Sequence, residues 1–223
     1  VNQDWNRPPI KNFKGRKMDQ QVALSLIAEK AYDVGYSAKL HFSTYDIVEK
    51  APGWIGMISL VIGVLSLYIE ALAAKHVSAV ITVIGICSLY IAYYSDTKEQ
   101  YFQAGNVLTE LLDKLRILLV QCKSSGEFTP ENEAEMDQIT KDFRAACQRK
   151  HILFSSWLAH KKFFWDQQID WIAEHRKFSF FRDKIPFSAY TTLVTILLTI
   201  AVVSWCDTHP DLVSVLAGKC LHE

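Results

Sequence analysis

WIGMISLVIGVLSLYIEALAAKHVSAVITVIGICSLYIAYYS, residues 54–95, decides the fold. From Ala51 to Ile69 and again from Val77 to Ser95, 19 residues pass without a charged side chain. At 1.5 Å per residue each stretch makes a helix of about 28 Å, close to the hydrocarbon thickness of a bilayer. Phe187 to Trp205 is a third such stretch. Trp54, Tyr90, Tyr93, Tyr94, Tyr190 and Trp205 stand near the ends, where amphipathic rings favour the membrane interface. Buried helices of a soluble bundle would normally keep a polar stripe, so three uncharged stretches in 223 residues point to membrane spans.

Only Glu70 to His76 joins the first two spans, which therefore form a tight antiparallel hairpin. Orientation follows from Lys and Arg. Eight lie before the first span and 14 between Ser95 and Ile185, against one at the hairpin tip (Lys75) and one after the third span (Lys219). The N-terminus and middle segment are thus assigned to the cytoplasm, and the hairpin tip and C-terminal tail to the outside. The overall balance of 24 basic and 24 acidic residues excludes a protein that works by coating nucleic acid, yet it is a sum over segregated pieces.

The pieces are a basic arm at 1–17, a cytoplasmic or interfacial helix at 18–50, the hairpin at 51–95, a cytoplasmic helical hairpin at 96–185, a third transmembrane helix at 186–205 and an external tail at 206–223. The first 20 residues are too polar for a secretory signal, and the start at Val1 implies residues trimmed ahead of it. In the helix at 18–50, Val22, Leu26, Tyr36, Leu40, Ala23, Ile27 and Ala31 cover more than one side, and Pro52-Gly53 is expected to end it. The second span is expected to run on to about Lys123, with Tyr101, Ala104, Leu108, Leu111, Leu115, Leu118 and Cys122 forming a three–four seam. Ser124-Ser125-Gly126 breaks it. Thr129 and Pro130 then open a second helix, whose Met136, Ile139, Phe143, Ala146, Leu153, Trp157 and Phe164 continue the same spacing, with Lys150 and His160 interrupting. The fold class is an all-α, homo-oligomeric membrane protein with two antiparallel cytoplasmic helices continuous with spans two and three.

No phosphate-binding glycine loop, nucleophile elbow or paired-histidine zinc motif occurs. His151, His160 and His175 share a segment with Asp166, Asp170 and Glu174, but without ligand spacing, so no enzyme, metal or cofactor is assigned. Cys206 and Cys220 would share the external tail, where a disulfide could persist; five unpaired small hydrophobes is the alternative. Basic residues among aromatics form a further pattern. Arg149, Lys150, Lys161 and Lys162 with Trp157 and Trp165 suit a nucleotide or oligonucleotide, or equally an anionic lipid surface. Arg176, Lys177, Arg182 and Lys184, beside span three, favour lipid. Trp5, Lys11, Lys14, Arg16 and Lys17 of the arm would plug or cap a cytoplasmic mouth.

Ser188, Thr192, Thr195 and Thr199 recur at helical spacing on one face of span three, the first choice for a pore lining. Gly56, Ser59, Gly63, Ser66 and Glu70 do the same on span one, where helix packing is the competing reading. Glu70 is a pore-mouth candidate, or a snorkelling partner of Lys75. Three spans cannot enclose a water path, so any pore is a closed homo-oligomer, with the Leu108, Leu111, Leu115 and Leu118 seam supplying contacts between subunits.

The stretch WIGMISLVIGVLSLYIEALAAKHVSAVITVIGICSLYIAYYSDTKEQYFQAGNVLTELL and the later FFRDKIPFSAYTTLVTILLTIAVVSW resemble the SLATT-domain proteins of bacterial conflict systems, over about Met18 to Trp205. The resemblance implies an N-terminal helix, a two-span hairpin, a long cytoplasmic helix and a C-terminal membrane helix. It further implies an effector in the bacterial inner membrane that acts in anti-phage defence by killing or arresting the cell. Such proteins are often encoded beside nucleotidyltransferases, so the expectation for this chain is a pore opened, or held shut, by a nucleotide or oligonucleotide at its cytoplasmic helices, and four subunits suit the family style. The competing function is a non-conducting membrane adaptor that docks a protein through its cytoplasmic coiled coil.

Overall fold

The computed structural model describes residues 19–167, 169–176 and 178, and of the last apolar stretch 190–191, 193–195, 197–198 and 201. Among these residues every regular element is helical. The longest, α1 (Gln20–Leu65), has 46 residues and so reaches about 69 Å. It runs through Pro52 without interruption, where the sequence predicts a stop. Proline withholds the N–H that would reach the Val48 carbonyl. A segment entering lipid has no water to satisfy an unwound backbone, so the helix persists across that single lost bond.

Burial, rather than a helix break, marks the change along α1. Fifteen positions from Ala23 to Val48 are buried and none beyond Val48 is. They lie around the helix because α3 (Lys98–Ser125), α5 (Ser155–Phe164) and α6 (Asp170–Ala173) all pack on it. The lower half of α1 is the central strut of a helical bundle, which explains apolar residues on more than one of its sides.

After a 3-10 turn at Glu70–Ala73, α2 (Lys75–Ala92) returns beside the upper half of α1. A second 3-10 segment, Ser95–Thr97, joins α2 to α3. The expected continuous helix is thus helical throughout but tightens at that junction. All seven seam positions are buried, with Leu108, Leu115, Leu118 and Cys122 at 0% exposure. Leu108, Leu111, Leu115, Leu118 and Cys122 pack inside one chain, in a core shared with Ile27, Tyr36 and Ile139. At about 1.5–3 kcal/mol for each large apolar side chain buried, this seam holds α3 to α1 within the chain. The expectation that Leu108, Leu111, Leu115 and Leu118 join subunits is therefore corrected: the chain's own α1 already fills that role.

Gly126 closes α3 in the left-handed conformation (φ 74°) that suits glycine at a helix end. Thr129 then caps α4 (Pro130–Ala146), its hydroxyl accepting from the Asn132 N–H at 3.4 Å. Met136, Ile139 and Phe143 face the core. Of the expected second half of that stripe, Phe164 packs against the core, but Leu153 is 66% exposed and Trp157 37%. The chain leaves α4 at Cys147, crosses the bundle as a loop and restarts as α5 at Ser155. The single long return helix is thus three pieces, which lets the loop bring His151 against α1.

Candidate functional site

The membrane hairpin has an inner and an outer face. Ile55, Ser59, Ile62 and Ser66 of α1, and Val77, Ile81, Ser88 and Ile91 of α2, are half-buried, while their neighbours are exposed. Ser59 and Ser66 therefore lie on the seam between the two helices, and the Ser66 hydroxyl donates to the Gly63 carbonyl at 2.7 Å. The stripe read on span one therefore divides, with its two serines toward α2 and Gly56, Gly63 and Glu70 exposed. Gly56, Gly63 and Gly85 face outward, with nothing within 4 Å of where a side chain would begin. Glu70 is exposed at the hairpin tip, and among the described residues no ion pair joins it to Lys75. Thr195 is exposed and its hydroxyl donates to the Thr191 carbonyl at 2.8 Å; Ser188, Thr192 and Thr199 lie outside the described residues. So do Trp5, Lys11, Lys14, Arg16 and Lys17, as well as Lys177, Arg182, Lys184, Cys206 and Cys220.

Just below the spans a polar knot ties three elements together. The His41 Nδ1–H donates to the Ser37 carbonyl at 2.7 Å, and its Nε2 accepts from the Gln148 N–H at 2.9 Å. Those two partners fix a neutral ring, since a carbonyl can only accept and an amide N–H can only donate. Thr44 spends its one proton on the Leu40 carbonyl, so its oxygen accepts from His151 Nδ1 at 3.1 Å. The two imidazoles meet edge to face, 4.8 Å between centroids. Tyr101 of α3 donates to the Lys150 carbonyl at 2.6 Å. Burial, and then the neighbouring His41, push His151 down to about 4, and burial also lowers His41. Burial raises the Cys147 thiol beside them to about 11.

Charges ring the knot where the helices leave the bundle. Asp46 takes Lys50 at 2.8 Å and, across elements, Lys162 of α5; Glu49 takes Lys98 at the start of α3. Burial would raise the Asp46 carboxyl, but the hydrogen bonds from Lys162 and Lys50 outweigh it and hold the group below the ordinary carboxylate range. The collar ties the entry of α1 into its apolar half to both α3 and α5.

The basic and aromatic residues singled out for a ligand divide. Phe163 is fully buried, and the Arg176 guanidinium lies 3.7 Å above the Tyr32 ring, so cation–aromatic stacking there is spent inside the chain. His160 Nδ1 is 2.8 Å from the Tyr36 hydroxyl. Lys162 is committed to Asp46. What stays exposed is Arg149 and Lys150 on the loop, Trp157 and Lys161 on one face of α5, four residues apart, and Trp165 just past its end. The structure separates the three histidines of the sequence reading: His151 meets His41, His160 meets Tyr36, and His175 sits by Glu174.

Sequence reasoning missed His41, Thr44, Asp46, Glu49, Lys98 and Tyr101. One signal was present: Ser37, His41 and Thr44 repeat at steps of four and three on an otherwise apolar helix. Their partners, more than 100 residues away for Gln148 and His151, left no local trace.

A family model described as the SMODS and SLOG-associating 2TM effector domain 6 matches residues 18–193. Two helices of the described structure are long and apolar enough to cross a membrane, and only 6% of each apolar window is buried. No curated protein and no solved structure matches the chain.

Proposed function

The chain belongs to the SLATT family of SMODS- and SLOG-associating 2TM effector domains, and from that membership we propose that it is a homo-oligomeric effector that permeabilises the bacterial inner membrane. One observation carries the reading. The cytoplasmic bundle is complete in a single chain, whereas the apolar hairpin on top of it is bare, with 6% of each window buried. A bare hairpin satisfies its lipid-facing surface alone but cannot enclose water, so a conducting path needs several copies. In this reading four chains assemble through the outward Gly56, Gly63 and Gly85 faces, since small residues permit close helix approach. The third span, at 186–205, contributes Ser188, Thr192, Thr195 and Thr199 to the lining, and Glu70 stands at the outer mouth. The N-terminus is cytoplasmic and the C-terminus extracytoplasmic.

Gating falls to the bundle, because α1 is one continuous helix from the bundle core into the membrane. A nucleotide or oligonucleotide from a partner nucleotidyltransferase engages Trp157 and Lys161 of α5 and Trp165 just past its end, and the arm bearing Trp5, Lys11, Lys14, Arg16 and Lys17 caps the cytoplasmic mouth. The Asp46–Lys162 pair carries a shift of α5 to α1. The adaptor reading loses its proposed docking seam, since Leu108, Leu111, Leu115 and Leu118 are at most 3% exposed.

The test is ion flux. Purified full-length protein in proteoliposomes is expected to pass ions in discrete steps in planar bilayers and to give an oligomeric mass in native mass spectrometry. A protein that is monomeric and silent, with and without added nucleotides, overturns the proposal.

A further inference from the structure

The loop between α4 and α5 carries side chains that a soluble surface does not explain. Leu153 and Phe154 are each 66% exposed. Phe154 has φ 66°, a left-handed conformation that is an outlier for so bulky a residue. The strain is retained where glycine or asparagine would relieve it, and it presents an aromatic ring to the outside. Arg149 and Lys150, also exposed, flank the pair.

The contacts of the loop set its height relative to the membrane. The Lys150 carbonyl is held by Tyr101, six residues beyond Ser95, and His151 by Thr44, seven residues before Ala51. At 1.5 Å per residue both anchors lie about 9–10 Å from the ends of the apolar stretches. Headgroups occupy roughly 5–7 Å on each side of the hydrocarbon, and tilt of the spans shortens the distance. Leu153 and Phe154, two and three residues past His151, are thus within side-chain reach of the headgroup layer.

We infer that residues 149–154 form a lipid-docking surface. Leu153 and Phe154 seat in the interfacial layer of the leaflet facing the bundle, while Arg149 and Lys150 meet anionic lipid phosphates. The partner is the bilayer because the loop is anchored to α1 and α3 within about 10 Å of the apolar stretches and its charge is complementary to an anionic leaflet. Docking there fixes the polar knot of His41, Thr44 and His151 at the membrane surface, so leaflet charge sets how firmly the bundle is held to the hairpin. The inference rests on the reading of α1 and α2 as membrane spans.

Full-length protein in nanodiscs containing brominated lipid tests it. Phe154→Trp is expected to add an indole component quenched by bromines near the headgroup, and Arg149→Gln with Lys150→Gln to weaken its partition roughly 30-fold, the loss expected for two basic side chains near an anionic surface. In the wild-type chain, amide exchange across 149–157 should slow in anionic nanodiscs relative to zwitterionic ones. Trp54, 60% exposed on span one, is the internal control, read as the quenching lost in Trp54→Phe. Quenching at Trp54 without quenching at position 154 overturns the loop assignment and leaves the spans standing. Absence of quenching at both overturns the membrane reading itself. Equal amide exchange in both nanodiscs, or slowing that appears only when ATP or an oligoadenylate is added, assigns the loop away from lipid.

Discussion

Gly105 and Gly63 differ only in what surrounds them. A side-chain carbon on Gly105 would stand 2.8 Å from the Phe42 ring, so Gly105→Ala should destabilise the bundle by about 1–3 kcal/mol. The same change at Gly63 meets open space and should leave the melting temperature of the bundle unchanged or raised, while altering oligomer size. Thermal melts and native masses of the two variants separate packing inside a chain from packing between chains. The buried imidazoles add a pH dependence. His151 is held at about 4, against 6.5 for a free imidazole, so between those values the unfolded chain binds the extra proton. Stability is therefore complete above pH 6.5 and declines as pH falls toward 4. The His151 contribution lost by pH 5 is about 2 kcal/mol. Melting curves at pH 7.5 and 5 should show the drop, and His151→Asn should flatten it.

Among the elements, α3 was legible almost in full, because a three–four seam over three heptads reports burial directly: every named seam position from Tyr101 to Cys122 is buried. The cap of α4 was equally legible, since Thr129 and Pro130 act on their immediate neighbours. Two readings failed for a shared reason. Pro52 was expected to stop α1, and the stripe from Met136 to Phe164 was expected to be one helix; in both cases the tertiary environment outweighed the local signal. Lipid keeps α1 helical through the proline, and the pull of His151 and Gln148 toward α1 breaks the return helix into α4 and α5. The Asp46–Lys162 pair links α5 to that same stretch of α1, with both side chains about a quarter exposed. Asp46→Asn should cost about 1 kcal/mol and speed amide exchange in α5 more than in α4. Equal rates in wild type and variant would show that the pair does not hold α5.

At the scale of the whole molecule, one helix belongs to two environments. Up to Val48, α1 is the core of a helical bundle; beyond Val48 it has no buried residue and is long and apolar enough to cross a membrane. The sequence showed the second environment as an uncharged window, and it showed the first only faintly, because a central strut is apolar all round and has no stripe to read. The candidate site was harder still, since its contacts join residues more than 100 positions apart. This division makes separable demands on the two halves. Leu115→Ala, at a position with 0% exposure, should cost about 2–5 kcal/mol and unfold the bundle, abolishing toxicity together with the yield of folded protein. Thr195→Leu with Thr199→Leu keeps span three uncharged and apolar, and Thr195 is exposed, so yield and membrane expression should hold while toxicity and ion flux are lost. If toxicity persists at normal expression, the hydroxyl row does not line the path. The lining would then be sought on span one, the second hydroxyl-bearing span, with Ser59 and Ser66 as the next positions to substitute.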